Sequence, residues 1–181
     1  MKAVAKKSLL AGHITVPGSK SHTIRALILA AMAEGTSHIS NPLPSNDCLS
    51  TAAAVRKIGA EVDFGDNSVW TVKGAGSKLH LPQDQIDVGN SGSLMYFLCP
   101  VLSTLKGECI FTGDESICRR PVNHLIDALC QFGAEGKSLN KGPDGAPGTT
   151  PPFSFCGPID VNKTLITEGA LSHSCPGPSP R

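Results

Sequence analysis

The sequence predicts an α/β (α+β) fold built from repeated βαβαββ units, and three observations carry that expectation. Matched landmarks recur at a nearly constant offset: Gly18 to Gly89 is 71 residues, Gly35 to Gly107 is 72, and Gly59-Ala60-Glu61 to Gly133-Ala134-Glu135 is 74. Between the landmarks, apolar residues switch between alternating and helical spacing in the same order twice. The 181 residues are 40% hydrophobic and only 17% charged, the balance of a chain that buries a core. A period this long marks a duplicated domain unit, because solenoid repeats are shorter.

Each element has a local reason. Residues 12–17, Gly-His-Ile-Thr-Val-Pro, alternate like a short strand closed by Pro17. A polar turn, Gly18-Ser19-Lys20-Ser21, leads to a helix from Thr23 to Glu34, with Ile24, Leu27, Ile28, Ala31 and Met32 on one face and Gly35 as its stop. A strand at Ser37–Ser40 precedes Ser45 and Asn46, which suit the cap of a second helix through Leu49, Ala52, Ala53, Val55 and Ile58. Strands at Glu61–Phe64 and Val69–Val72, joined by Gly65-Asp66-Asn67, complete unit one, about residues 12–83. Unit two, about 84–141, repeats the order. It has the turn Gly89-Asn90-Ser91-Gly92-Ser93, a helix from Leu94 to about Leu105, and a strand at Glu108–Thr112. Pro121 then opens a helix carrying Val122, Leu125, Ile126 and Leu129. Residues 142–181 hold 14 of the 33 Gly and Pro and read as a tail. A partial third unit is expected from about Gly157-Pro158-Ile159-Asp160-Val161, ending at Arg181.

Composition removes several function classes. Sixteen Lys and Arg against fifteen Asp and Glu leave a net charge of +1, so no nucleic acid or membrane partner is expected and any anion binding must be local. Six Phe, one Tyr and one Trp are too few for a base-stacking surface. Seven cysteines without a C-x-x-C pair suggest reduced, mostly buried thiols rather than disulfides or zinc. The six histidines show no H-x-x-x-H pair, so no metal is expected. The apolar run Leu9-Leu10-Ala11 behind Lys2, Lys6 and Lys7 is too short for a signal-peptide core, which makes a cytoplasmic protein the expectation.

Three segments can carry chemistry. Gly18-Ser19-Lys20-Ser21 with Arg25 joins a helix start, whose free N–H groups favour an anion, to two cations and two hydroxyls. It fails the P-loop pattern, because Ser19 precedes Lys20 and Gly12 lies one residue too far back. A serine-capped helix with solvated cations is the plainer reading of the same residues. Gly89-Asn90-Ser91-Gly92-Ser93 is the equivalent turn of unit two, where glycines allow close backbone approach and Asn90 offers both donor and acceptor. Arg119-Arg120-Pro121 places guanidinium groups at another helix start, suited to phosphate or carboxylate. No nucleophile with an adjacent histidine and acid stands out, so a hydrolase triad is not expected.

The runs Pro17-Gly-Ser-Lys-Ser-His-Thr-Ile-Arg25, Gly89-Asn-Ser-Gly-Ser93, Thr112-Gly-Asp, Arg120-Pro121 and Leu125-Ile-Asp-Ala-Leu129 resemble those of the 5-enolpyruvylshikimate-3-phosphate synthases. The likeness covers about residues 10–135 in motif and order. It implies one domain, of the N-terminal type, of the inside-out α/β barrel of enolpyruvyl transferases, in a short or truncated form. It also implies enolpyruvyl transfer from phosphoenolpyruvate to the 5-hydroxyl of shikimate 3-phosphate in aromatic amino-acid biosynthesis, with neither metal nor organic cofactor. By the same resemblance, Lys20 and Arg120 are the catalytic cations. Lys20 contacts phosphoenolpyruvate and assists proton transfer, Ser21 and Arg25 hold shikimate 3-phosphate, and Asn90, Gly92, Ser93 and Arg120 line the phosphoenolpyruvate pocket. Ser172, in Ser172-His173-Ser174, partly matches the family's Ser-Ser-Gln phosphate motif.

Tyr96 and Phe97 stand where the family's second motif continues with Arg-Pro, which implies weak binding of glyphosate, the herbicide that occupies this pocket in family members. A UDP-sugar enolpyruvyl transferase fits less well, because the Pro17–Ser21 context is of the shikimate type. The alternative function is a non-catalytic half-domain that binds shikimate 3-phosphate or a similar ester. Such a half needs self-association, or complementation by a second domain with its acidic base and arginines, for turnover.

Overall fold

The computed structural model describes residues 3, 4, 6, 7, 9, 11–66, 68–141, 146 and 148–164. Helix α1, Lys20–Met32, starts where the Ser19 hydroxyl accepts the His22 N–H at 3.4 Å, and it buries Thr23, Ile24, Leu27, Ile28, Ala30 and Ala31. Strand β1, Thr36–Ser40, and helix α2, Asn46–Lys57, follow, and then the hairpin β2, Glu61–Asp63, and β3, Val69–Lys73. β3 is the central strand, antiparallel to both β1 and β2.

The second half repeats this arrangement. β4, Ile86–Asp87, leads to α3, Gly92–Leu102, then β5, Gly107–Thr112, α4, Asn123–Gln131, β6, Glu135–Ser138, and β7, Phe153–Gly157. The strand orders, β1-β3-β2 and β5-β7-β6, are the same under the repeat, with β4 added parallel to β5 at the edge of the second sheet. The last strand of each unit is inserted between the other two. The helices pack on the sheets and on one another, α1 against both α2 and α3, around a continuous core that includes Trp70, Leu94, Leu98, Phe111, Phe153 and Phe155.

Three details depart from the sequence expectations. Residues 12–17 form no strand: no described strand pairs with them, and Ile14 and Val16 are 88% and 64% exposed. An alternating pattern marks a strand only where a partner edge receives its backbone bonds. α4 begins at Asn123 rather than Pro121, because the Val122 N–H donates to the Thr149 carbonyl at 2.7 Å and holds that residue outside the helix. Phe153–Gly157, inside the Gly/Pro-rich stretch, is β7, the middle partner of β5 and β6. Beyond it, Ile159 and Asp160 donate to the carbonyls of Ser103 and Phe132 without forming a strand, and most of the expected third unit, from residue 165, lies outside the described residues.

Candidate functional site

The parallel pairing of β4 with β5 creates the central part of the site. It sets Asp87 beside Thr112, so the loops that leave the two strand ends emerge together. The Val88 N–H donates to the Thr112 carbonyl, and the Asp114 N–H to the Gly89 carbonyl, each at 2.9 Å. Asp114 also accepts the Ile117 N–H, which shapes the short turn Ile117–Arg119. Arg120 is thereby delivered to Asn90, whose Oδ1 accepts from the guanidinium at 2.5 Å, and the Ser116 hydroxyl lies 3.3 Å from the same nitrogen. The guanidinium passes close over Gly92: an ideal Cβ there would stand 3.4 Å from it.

The two arginines of the Arg119-Arg120 pair separate. Arg119 bonds to Glu115 on the exposed surface, whereas Arg120 joins the turn. The cap of α3 is Ser91, buried, with its hydroxyl accepting the Leu94 N–H at 3.2 Å. Ser93 lies within the first turn of α3 and is half-buried. Gly89 adopts φ +56°, a conformation that strains side-chain-bearing residues, and an added Cβ would meet the Ser50 hydroxyl at 2.9 Å.

The turn thus lies close against α2, which packs on β4 and also carries a partner of the first motif. One turn before Ser50, Asp47 accepts an ion pair from Lys20 at 2.8 Å. Lys20 lies at the start of α1, which Gly18 permits, since a Cβ there would fall 2.0 Å from the Asn41 carbonyl. Lys20 and Asp47, Ser50 and Gly89, and Asn90 and Arg120 are thus neighbouring pairs, the first two joined through α2 and the last two through the turn at 89–93. The side chain of Lys20 is half exposed and that of Asp47 only 18% exposed. Ser21 is half-buried on α1, and Arg25 stacks its guanidinium over Phe97 of α3, 4.7 Å from the ring centre. Ser172 lies outside the described residues.

Asp47 and His124 stand outside the three sequence motifs. An acid in the first turn of α2 is the one sequence signal for Asp47, and only the fold brings it to Lys20. Tyr96 bonds to His124 Nε2 at 2.6 Å; burial raises the phenol's pKa and the nearby Arg120 charge partly offsets this. Among the described residues no three His, Cys, Asp or Glu side chains gather as metal ligands, and no helix is long and apolar enough to cross a membrane. Cys48, Cys99 and Cys109 are buried free thiols, as expected, but Cys130 and Cys156 are exposed.

Comparison with known proteins follows the same pattern. The family model described as EPSP synthase (3-phosphoshikimate 1-carboxyvinyltransferase) matches residues 4–144. The 3-phosphoshikimate 1-carboxyvinyltransferase of Methanothermobacter thermautotrophicus is 44% identical over 135 residues, 75% of this chain and 32% of its own length. That of Methanococcus maripaludis is 39% identical over 167 residues, 92% of this chain and 37% of its own. The EPSP synthase structure from Acinetobacter baumannii superposes with a TM-score of 0.71 at 35% identity, over 81% of this chain and 32% of that one. The chain spans about a third of the length of the curated relatives it matches. With motif order, paired strand topology and family match in agreement, this α/β chain belongs to the EPSP synthase family.

Proposed function

We propose that the chain serves enolpyruvyl transfer from phosphoenolpyruvate to the 5-hydroxyl of shikimate 3-phosphate, releasing phosphate in the shikimate pathway. The observation that carries this reading is Arg120, clamped by Asn90 and Ser116 over the start of α3. A guanidinium fixed before substrate arrives meets a phosphate or carboxylate without reorganising, and charge-assisted bonds of this kind are the strong ones. Asn90, Gly92 and Ser93 line the phosphoenolpyruvate side. Lys20, poised on Asp47, contacts phosphoenolpyruvate and assists the proton transfer, while Ser21 and Arg25 hold shikimate 3-phosphate. Tyr96 and Phe97, with Arg25 stacked on the latter, reshape the pocket-forming helix and weaken glyphosate binding. Free thiols suit a reducing cytoplasm.

A second reading is supported by exposure: Lys20 and Arg120 are exposed, and among the described residues Asp47 is the one counter-charge bonded to either. In that reading the chain is a binding half that turns over only when a second half, or a second copy, closes on the substrates. Phosphate release with both substrates, measured on the chain alone and with an added C-terminal-type half from a relative, tests both. Turnover by the chain alone, lost in Lys20→Ala, supports the enzyme. Binding without turnover, rescued by the added half, supports the binding module. Failure of both substrates to bind at millimolar concentration overturns both.

A further inference from the structure

We infer that Tyr96 and His124 form a proton-linked donor pair beside Arg120, which adds a hydrogen bond and a positive charge to a bound oxyanion when the imidazole is protonated. The inference rests on the reading of Arg120 as an anion-binding residue. Tyr96 Oη lies 2.6 Å from His124 Nε2, a short bond that ties α3 to the first turn of α4. The two rings are stacked, 22° apart with centres separated by 5.4 Å, so the bond is backed by a ring contact. Tyr96 is four residues beyond Gly92 on α3 and therefore on the same face, next to the guanidinium that crosses Gly92. Burial keeps the phenol protonated despite the Arg120 charge.

The two protonation states of the imidazole reverse the bond. A neutral ring that carries its proton on Nδ1, the tautomer this inference assigns to His124, accepts the phenol O–H at Nε2; an imidazolium donates from both nitrogens, so the phenol oxygen becomes the acceptor. The phenol proton then turns to a different acceptor, and an oxyanion held by Arg120 supplies one. One proton enters from solvent, and only hydrogen bonds are exchanged. Beside the neutral Tyr96 phenol on α3, three groups set the local charge: Arg120 ahead of α4, Asp127 one turn along α4, and Arg25 on α1, stacked on Phe97 next to Tyr96. A bound dianion provides counter-charge for an imidazolium in this setting, so anion binding and proton uptake reinforce each other by linkage.

Inorganic sulfate is the probe, because it remains a dianion between pH 5 and 8 while phosphate esters titrate themselves. Calorimetry at constant ionic strength, in buffers of different ionisation heat, reads the proton count directly. Sulfate binding to the full chain is expected to take up a fraction of one proton and to weaken about five- to tenfold from pH 5.5 to pH 8. His124→Gln is expected to abolish both effects, Tyr96→Phe to lower affinity at pH 5.5 but not at pH 8, and His22→Gln to change neither. Sulfate binding that needs Arg120 yet takes up no proton, or takes it up equally in His124→Gln, overturns the inference and leaves the anion site standing. Sulfate binding undiminished in Arg120→Ala overturns the anion-site reading itself, and the inference with it.

Discussion

Replacing Phe155 by Ala tests whether the stretch beyond residue 141 is part of the folded body. Phe155 is 1% exposed on β7, between β5 and β6, with its ring centre 6.0 Å from that of Phe111. Burying a phenylalanine removes about 150–250 Å² from water. At about 25 cal/mol per Å², the side chain contributes about 4–6 kcal/mol. Alanine retains the share of its Cβ, which leaves an expected loss of about 3–5 kcal/mol, the range of Phe→Ala substitutions in cores. This is a large part of the roughly 5–15 kcal/mol that holds a domain folded. Guanidinium unfolding followed by the emission of Trp70, the only tryptophan and fully buried, together with far-UV circular dichroism, measures it. Val161→Ala, at a position 67% exposed and past β7, is expected to change stability by less than about 0.5 kcal/mol. A loss below about 1 kcal/mol for Phe155→Ala would refute the placement of β7 in the core.

Lys20→Ala should alter unfolding free energy by under about 1 kcal/mol, because its ion pair with Asp47 is half exposed and such pairs contribute little. The same variant should lose phosphoenolpyruvate binding in calorimetry, and retained affinity would remove Lys20 from the site. Asn90→Ala frees Arg120 from one of its two clamps, and phosphoenolpyruvate affinity is expected to fall about five- to tenfold, the size of one hydrogen bond; an unchanged dissociation constant would show that the clamp does not position the arginine. Burial pushes the Cys109 thiol up to about 12 and Cys99 well above its ordinary value. Both thiols therefore stay protonated in the folded chain where the unfolded chain ionises near pH 9. Their stabilisation is complete below that pH and is lost as pH rises toward 12. Urea midpoints should fall between pH 9 and 11, less steeply in Cys109→Ala, and alkylation at pH 8 followed by mass spectrometry should mark Cys130 and Cys156 before either buried thiol.

The duplicated organisation was legible in the chain because each helix carries its own signals. Ser19 and Ser91 cap α1 and α3, and glycines at 35, 59, 107 and 133 take positive φ where helices end or strands begin. The strand at 12–17 and the Gly/Pro content around 153–157 were misleading for one reason: local alternation and Gly/Pro content do not report which backbone edge receives a strand. β7 is held by pairing with residues 107–111 and 135–138, well before it in sequence. The candidate residues stood out as motifs, yet their partners did not. Asp47 reaches Lys20 across 27 residues, and His124 reaches Tyr96 across 28.

From its sequence alone, then, the chain declares two units sharing the order α-β-α-β-β, and the cations Lys20, Arg25 and Arg120, because periodicity, capping and turn chemistry act over a few residues. Tertiary structure decided what those cations meet. Parallel pairing of β4 with β5 brings two loops to one end, so that Arg120 meets Asn90 while Arg119 turns to Glu115. Arg25 stacks on Phe97, and Tyr96 is joined to His124. Contacts of this kind depend on how strands are inserted and helices cross, and no local spacing in the chain encodes them.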